Sequence, residues 1–66
     1  MTIETEREAD GRWLAELLEI SGALVYGATR EAASAHAQAL ALRVLADRLE
    51  HGEEVPDLAG VFSVAA

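Results

Sequence analysis

Two stretches of alternating polar and apolar residues, separated by Ala9-Asp10-Gly11, constrain this chain more than any other feature. From Thr2 to Glu8, the residues Ile3, Thr5 and Arg7 alternate with Thr2, Glu4, Glu6 and Glu8. From Arg12 to Leu17, Trp13, Ala15 and Leu17 alternate with Arg12, Leu14 and Glu16. Side chains on a strand point to opposite faces in turn, so a period of two predicts two strands. Asp-Gly between such runs predicts a hairpin.

The same residues select a register. A two-residue turn at Asp10-Gly11 would set Trp13 opposite Glu8 and Leu17 opposite Glu4, mixing acids into the apolar face. A three-residue loop, Ala9 to Gly11, sets Arg7 opposite Trp13, Thr5 opposite Ala15 and Ile3 opposite Leu17. One face is then consistently apolar, with the Arg7 stem near the indole. A slip of one residue would invert both faces, so the pattern favours the longer loop. Gly11 then takes the left-handed position that closes such loops. Glu4, Glu6, Glu8, Arg12, Leu14 and Glu16 are left on the outer face.

Leu18 to Gly22 reads as a connection, and Ala23 to Gly27, short and apolar, as a third strand. Thr29 is a suitable helix N-cap, and Glu31 places an acid in the first turn. From Arg30 to His51 the residues are dominated by the helix formers Ala, Leu, Arg and Glu. Gly52 is the expected stop, with Pro56 beyond it. Val61 to Ala65 reads as a short last strand with Phe62 and Val64 on one face. The predicted fold is α+β: a three-stranded antiparallel meander, one long helix packed on it and a short final strand, in the order β-β-β-α-β. A single domain is expected over residues 1–66.

The helix has more apolar surface than one sheet requires. Ala33, Ala37, Leu40 and Val44 share one face, and Leu42, Leu45, Ala46 and Leu49 form an adjacent one. Covering a sheet takes one apolar stripe about 100° wide. A chain of 66 residues without cysteine has no disulfide to compensate for a small core. Both points predict a homo-oligomer, with Leu14, Leu42, Leu45 and Leu49 as candidate interface residues. Trp13 is the expected anchor of the core. Gly11, Gly27 and Gly52 are expected where the backbone needs freedom, and Thr29 at the cap.

Charge narrows the partners. The formal net charge is −7, and Arg7, Arg12, Arg30, Arg43 and Arg48 are the only lysine or arginine residues. Nucleic-acid binding draws on basic groups set against phosphates, so direct binding to DNA or RNA is not expected. An acidic surface suits a basic protein, because complementary fields speed encounter. No apolar run approaches the roughly 18 residues of a membrane span. The start, Met1-Thr2-Ile3-Glu4, does not have the form of a secretory signal. With no cysteine, a cytoplasmic protein is expected.

Catalytic patterns are not visible. His36, on the polar side of the helix near Arg43 and Asp47, and His51, at the helix end, fit no metal-ligand spacing. Ser21, Ser34 and Ser63 lack the context of an activated nucleophile. Glu4, Glu6, Glu8 and Glu16 could in principle hold Mg²⁺, yet acids at alternate positions are usual on any solvated strand. Neither an enzyme nor a cofactor is expected.

The ordered motifs resemble a known family. Ile3, then Ala9-Asp10-Gly11-Arg12-Trp13-Leu14-Ala15-Glu16, is similar to the opening hairpin of HicB-like antitoxins, where an acidic loop ending in D-G precedes an aromatic residue and an A-E pair. Ser21-Gly22 followed by Tyr26-Gly27-Ala28-Thr29-Arg30-Glu31-Ala32 resembles that family's P-G connection and its G-x-T-x-E-A helix start. The likeness runs from residue 3 to about residue 50. It departs at Leu18 to Gly22, where the family's proline-rich stretch has no proline counterpart. Many family members continue into a DNA-binding domain; no separate domain of that kind is expected within these residues. The resemblance implies a degenerate ribonuclease-H-like fold without activity, and neutralisation of a small basic mRNA-cleaving toxin by direct contact. A stand-alone homo-oligomer with a structural or ligand-binding role is the alternative.

Overall fold

The computed structural model describes residues 1–55 and shows an α+β arrangement of two layers. Strands β1 (Ile3–Arg7), β2 (Trp13–Leu17) and β3 (Leu24–Gly27) form an antiparallel meander in the order β1-β2-β3. Helix α1 (Arg30–Glu50) covers one face of the sheet. The predicted strand from Val61 to Ala65 lies outside the described residues, as does Pro56.

The hairpin has the predicted register. Ile3 pairs with Leu17, Thr5 with Ala15 and Arg7 with Trp13. The Glu8 amide donates to the Arg12 carbonyl at 2.8 Å, and the Gly11 amide donates to the Glu8 carbonyl at 3.0 Å. That leaves Ala9 to Gly11 as the loop. Gly11 has φ +90°, a conformation that would press a Cβ against the backbone. Asp10 completes the turn: its carboxylate accepts from the Arg12 amide at 3.0 Å and from Arg12 Nε at 2.7 Å. These donors hold the Asp10 carboxyl below its ordinary pKa, the backbone amide contributing most.

Both helix ends form as expected. Thr29 has extended backbone, and its hydroxyl oxygen accepts from the Ala32 amide at 3.0 Å. The helix ends at Glu50 with His51 as cap, one residue short of the predicted limit. The Gly52 amide donates to the Leu49 carbonyl and the Glu53 amide to the Arg48 carbonyl. This pair of bonds is a Schellman closure, with Gly52 at the left-handed position, φ +75°. β3 begins at Leu24 rather than Ala23, although the Ala23 carbonyl still accepts from the Leu17 amide.

The interior is built of small side chains. Ala15, Leu17 and Ala23 from the sheet side meet Ala33, Ala37 and Ala41 from the helix. Among the described residues, Leu17, at 1% exposure, is the largest fully buried side chain. The expectation that Trp13 anchors the core is corrected accordingly: Trp13 is half-buried and packs against the margin of the cluster. The reason lies across the strand pair. Trp13 is opposite Gly27, and there the helix backbone reaches the sheet directly. A Cβ on Gly27 would stand 2.8 Å from the Ala32 carbonyl carbon and 2.9 Å from Ala33 Cα, closer than such atoms approach in proteins. No room for an indole remains between the layers at that end. Gly27 therefore serves close approach and not backbone freedom, because its φ is not positive.

The helix face is also corrected. Its buried residues are Ala33, Ala37, Ala41 and Leu45, spaced by four, with Leu40 and Val44 half-buried beside them. Leu45, expected at an interface, is 6% exposed and continues the inner stripe, so it is unavailable to a partner. The outer stripe keeps Leu42 at 65% exposure and Leu49 at 49%.

Candidate functional site

With α1 on one face, the opposite face of the sheet is uncovered by any described element. Strand alternation places Glu4, Glu6, Arg12, Leu14, Glu16, Leu24 and Tyr26 on it. Leu14, the candidate interface residue on the sheet, lies near the middle. It is opposite Glu6 on β1 and Tyr26 on β3. Leu24 and Tyr26 are both about half exposed. The result is an apolar strip along β2 and β3 with a row of carboxylates along its β1 side.

Those carboxylates are arranged against local stability. Glu4 and Glu16 are directly opposite across the β1–β2 pair. Like charges in that relation destabilise a sheet, by about 0.2–1 kcal/mol. Among the described residues, neither acid forms an ion pair. Glu4, Thr5, Glu6, Leu14 and Glu16 line a shallow open depression here. At the hairpin end, the Arg12 guanidinium lies 4.5 Å from the Tyr26 ring centre while bonded to Asp10. That arrangement fixes the ring and neutralises one cation internally, so the face keeps its negative character.

No protein-family model matches this chain, and no curated protein or solved structure matches it either.

The remaining predicted residues are distributed as follows. Gly11, Thr29 and Gly52 shape turns and helix ends, away from the open strip. Leu42 and Leu49 lie on the helix, on the far side of the molecule from the sheet's open face. His36 is exposed on the helix, as predicted, but it turns towards the sheet and not to Asp47. Its Nδ1 lies 2.8 Å from the Tyr26 carbonyl. A carbonyl can only accept, so that nitrogen carries the proton. His51 Nδ1 donates similarly to the Asp47 carbonyl at 2.7 Å. Among the described residues, no three His, Asp or Glu side chains gather as a metal site, and no helix is long and apolar enough to cross a membrane.

Leu24 and Tyr26 were not expected on this face. Their signal was present in the period of two, which continues from Leu14 through the register of β3. The connection between β2 and β3 hid it, because its turn at Gly22, φ +76°, sets the pairing.

Proposed function

We propose that this chain is a non-catalytic protein-interaction module of the HicB-like antitoxin kind, acting in the cytoplasm. It would bind and neutralise a small basic mRNA-cleaving toxin through the open face of its sheet. The observation that carries the reading is the facing pair Glu4 and Glu16 beside half-buried Leu14 and exposed Leu24 and Tyr26. A solvated sheet face has no need of opposed carboxylates or of an apolar strip. A basic partner would relieve the first and cover the second. A toxin that grips RNA carries cations for phosphate, and these suit a row of glutamates. The reading assigns no reaction and no cofactor to the chain.

The test is co-expression with a small basic protein encoded next to this chain. The expected result is a complex that co-purifies and restores growth. Replacing Glu4, Glu6 and Glu16 together by alanine should leave the fold intact, since exposed charges contribute little, while releasing the toxin. Absence of both complex and rescue, or a complex indifferent to the triple change, would overturn the proposal.

A second reading has its own observation. Leu42 and Leu49 project from the outer side of α1, seven residues apart on one stripe. That spacing suits helix-to-helix packing between two copies, and supports a homo-oligomer. Sedimentation across a range of concentrations separates the cases, because replacing both leucines by glutamine should disperse only an assembly formed through the helix.

A further inference from the structure

β3 is an edge strand among the described residues, and among them its outer edge is only lightly guarded. The Leu17 amide donates to the Ala23 carbonyl, so that carbonyl and the backbone groups of residues 25 and 27 are directed towards β2. Leu24 and Tyr26 therefore direct theirs outward, apart from the Leu24 amide, which donates to the Gly22 carbonyl. Natural edge strands are usually guarded by charge, proline or a bulge. β3 reads Leu-Val-Tyr-Gly and has none of these. Among the described residues its one guard is His36, whose ring donates to the Tyr26 carbonyl from a different element, the helix.

Beside this edge runs a groove between β3 and α1. Beyond the point where Gly27 meets the helix backbone, Val25, Tyr26, His36, Ala39, Leu40 and Arg43 enclose a cleft of about 360 Å³. Its floor is apolar. Its rim holds Arg43, which makes no ion pair among the described residues. In a chain of net charge −7, a free cation beside an open strand edge is a distinctive combination.

We infer that this groove binds an extended peptide from another protein, added as a fourth strand on β3, with an apolar side chain and a carboxylate on its helix-facing side. The edge supplies the Tyr26 amide and the Leu24 carbonyl for main-chain bonds, and the Tyr26 carbonyl once His36 swings away. Residues two apart on the added strand face the same way. One would rest on Ala39 and Leu40, and the next would bring its carboxylate to Arg43. A second copy of this chain fits less well, since a symmetric pairing of two β3 edges would bring Arg43 and His36 towards their own images. This site is separate from the open sheet face and does not depend on the toxin reading.

The test uses the full chain, isotopically labelled, and two capped peptides: Thr-Val-Thr-Glu-Thr-Val-Thr and the same sequence with lysine for glutamate. The glutamate peptide should shift the signals of Leu24 to Gly27 and slow exchange of the Tyr26 amide. It should bind roughly 1.5-fold to fivefold more tightly than the lysine peptide, the range of one exposed ion pair. Arg43→Glu should reverse that preference, and His36→Ala should retain binding. The inference is overturned by any of three results: no shift at millimolar peptide, a preference unchanged by Arg43→Glu, or shifts confined to the open face around Leu14. It is also overturned if the Tyr26 amide is already protected without peptide. Protection independent of concentration would assign the edge to the chain's own residues 56–66, and protection rising with concentration to a second copy.

Discussion

Replacing Gly27 by alanine tests whether the two layers touch as closely as described. The new Cβ would stand within 3.0 Å of two backbone atoms of Ala32 and Ala33, besides the Ala33 amide nitrogen. Helix backbone cannot turn aside as a flexible side chain can, so the layers must separate. Overpacking of this kind costs about 1–3 kcal/mol, and backbone neighbours place the cost near the upper end. Against it stands the gain from replacing glycine inside a strand, about 0.5–1 kcal/mol. The net loss is then about 2 kcal/mol. For a domain of this size that corresponds to a fall in Tm of roughly 8–16 °C.

Urea unfolding followed by Trp13 fluorescence measures the loss, since the indole sits on the strand opposite Gly27. Gly11 provides the control. There a Cβ would meet nothing within 4 Å, but φ is +90°. An L-alanine at Gly11 should cost about 1–2 kcal/mol from conformation alone. A D-alanine, which accepts positive φ, should cost far less. Loss of under about 0.5 kcal/mol at Gly27, or equal sensitivity of both sites to side-chain handedness, would refute the close approach.

Three other outcomes follow from local geometry. Glu16→Lys should stabilise the free chain by about 0.2–1 kcal/mol by turning the Glu4–Glu16 opposition into attraction, and should weaken binding of a basic partner; calorimetry of both steps checks the opposed signs. Thr29→Ala should cost about 1 kcal/mol through loss of the bond from the Ala32 amide, read by urea denaturation, with Thr29→Ser nearly neutral. Acid should loosen the hairpin loop and the first strand's tether. The Thr2 amide donates to the Glu19 carboxylate at 2.9 Å and lowers the Glu19 pKa, as the Arg12 amide lowers that of Asp10. A depressed carboxyl contributes stability above its ordinary value, 4.5 for glutamate and 3.8 for aspartate, and that contribution fades as pH falls through the lowered folded value. Side-chain carboxyl titration by nuclear magnetic resonance should give midpoints below those values for both residues, and a midpoint at or above either would contradict the bonds.

What could be read from the sequence was mostly what short-range chemistry decides. The hairpin register follows from the period of two together with Gly11, and one slip would have exposed the whole apolar face. The helix ends follow from Thr29 and Gly52, whose effects act within a few residues. The inner helix face was harder to read. Alanine favours a helix on every side of it, so an alanine-rich segment marks no face clearly. Ala41 was missed for that reason, and Leu45 was placed on the outer stripe although it continues the buried one. Gly27 shows a second limit. A glycine before a helix can signal a turn or a close contact, and only the position of the helix backbone distinguishes them. The groove beside β3 depends on the same contact, since it joins Tyr26 to His36 and Arg43 across the two layers.

A small interior and a generous apolar surface occur together in this fold. Alanines on the helix and Gly27 on the sheet let the layers meet closely, so few large side chains fit between them. The large apolar side chains stand elsewhere: Leu24 and Tyr26 on the open sheet face, Leu42 and Leu49 on the outer stripe of the helix. Substituting larger residues along Ala33, Ala37 and Ala41 would not move those side chains inward, because their positions follow from strand register and helical phase. It would only separate the layers. A module of this design gains from each partner that covers a face, by the mass action that favours any state a ligand binds. Its two candidate surfaces also differ in charge, with glutamates on the open sheet and Arg43 beside the β3 edge. A single partner of uniform sign would not match both proposed surfaces.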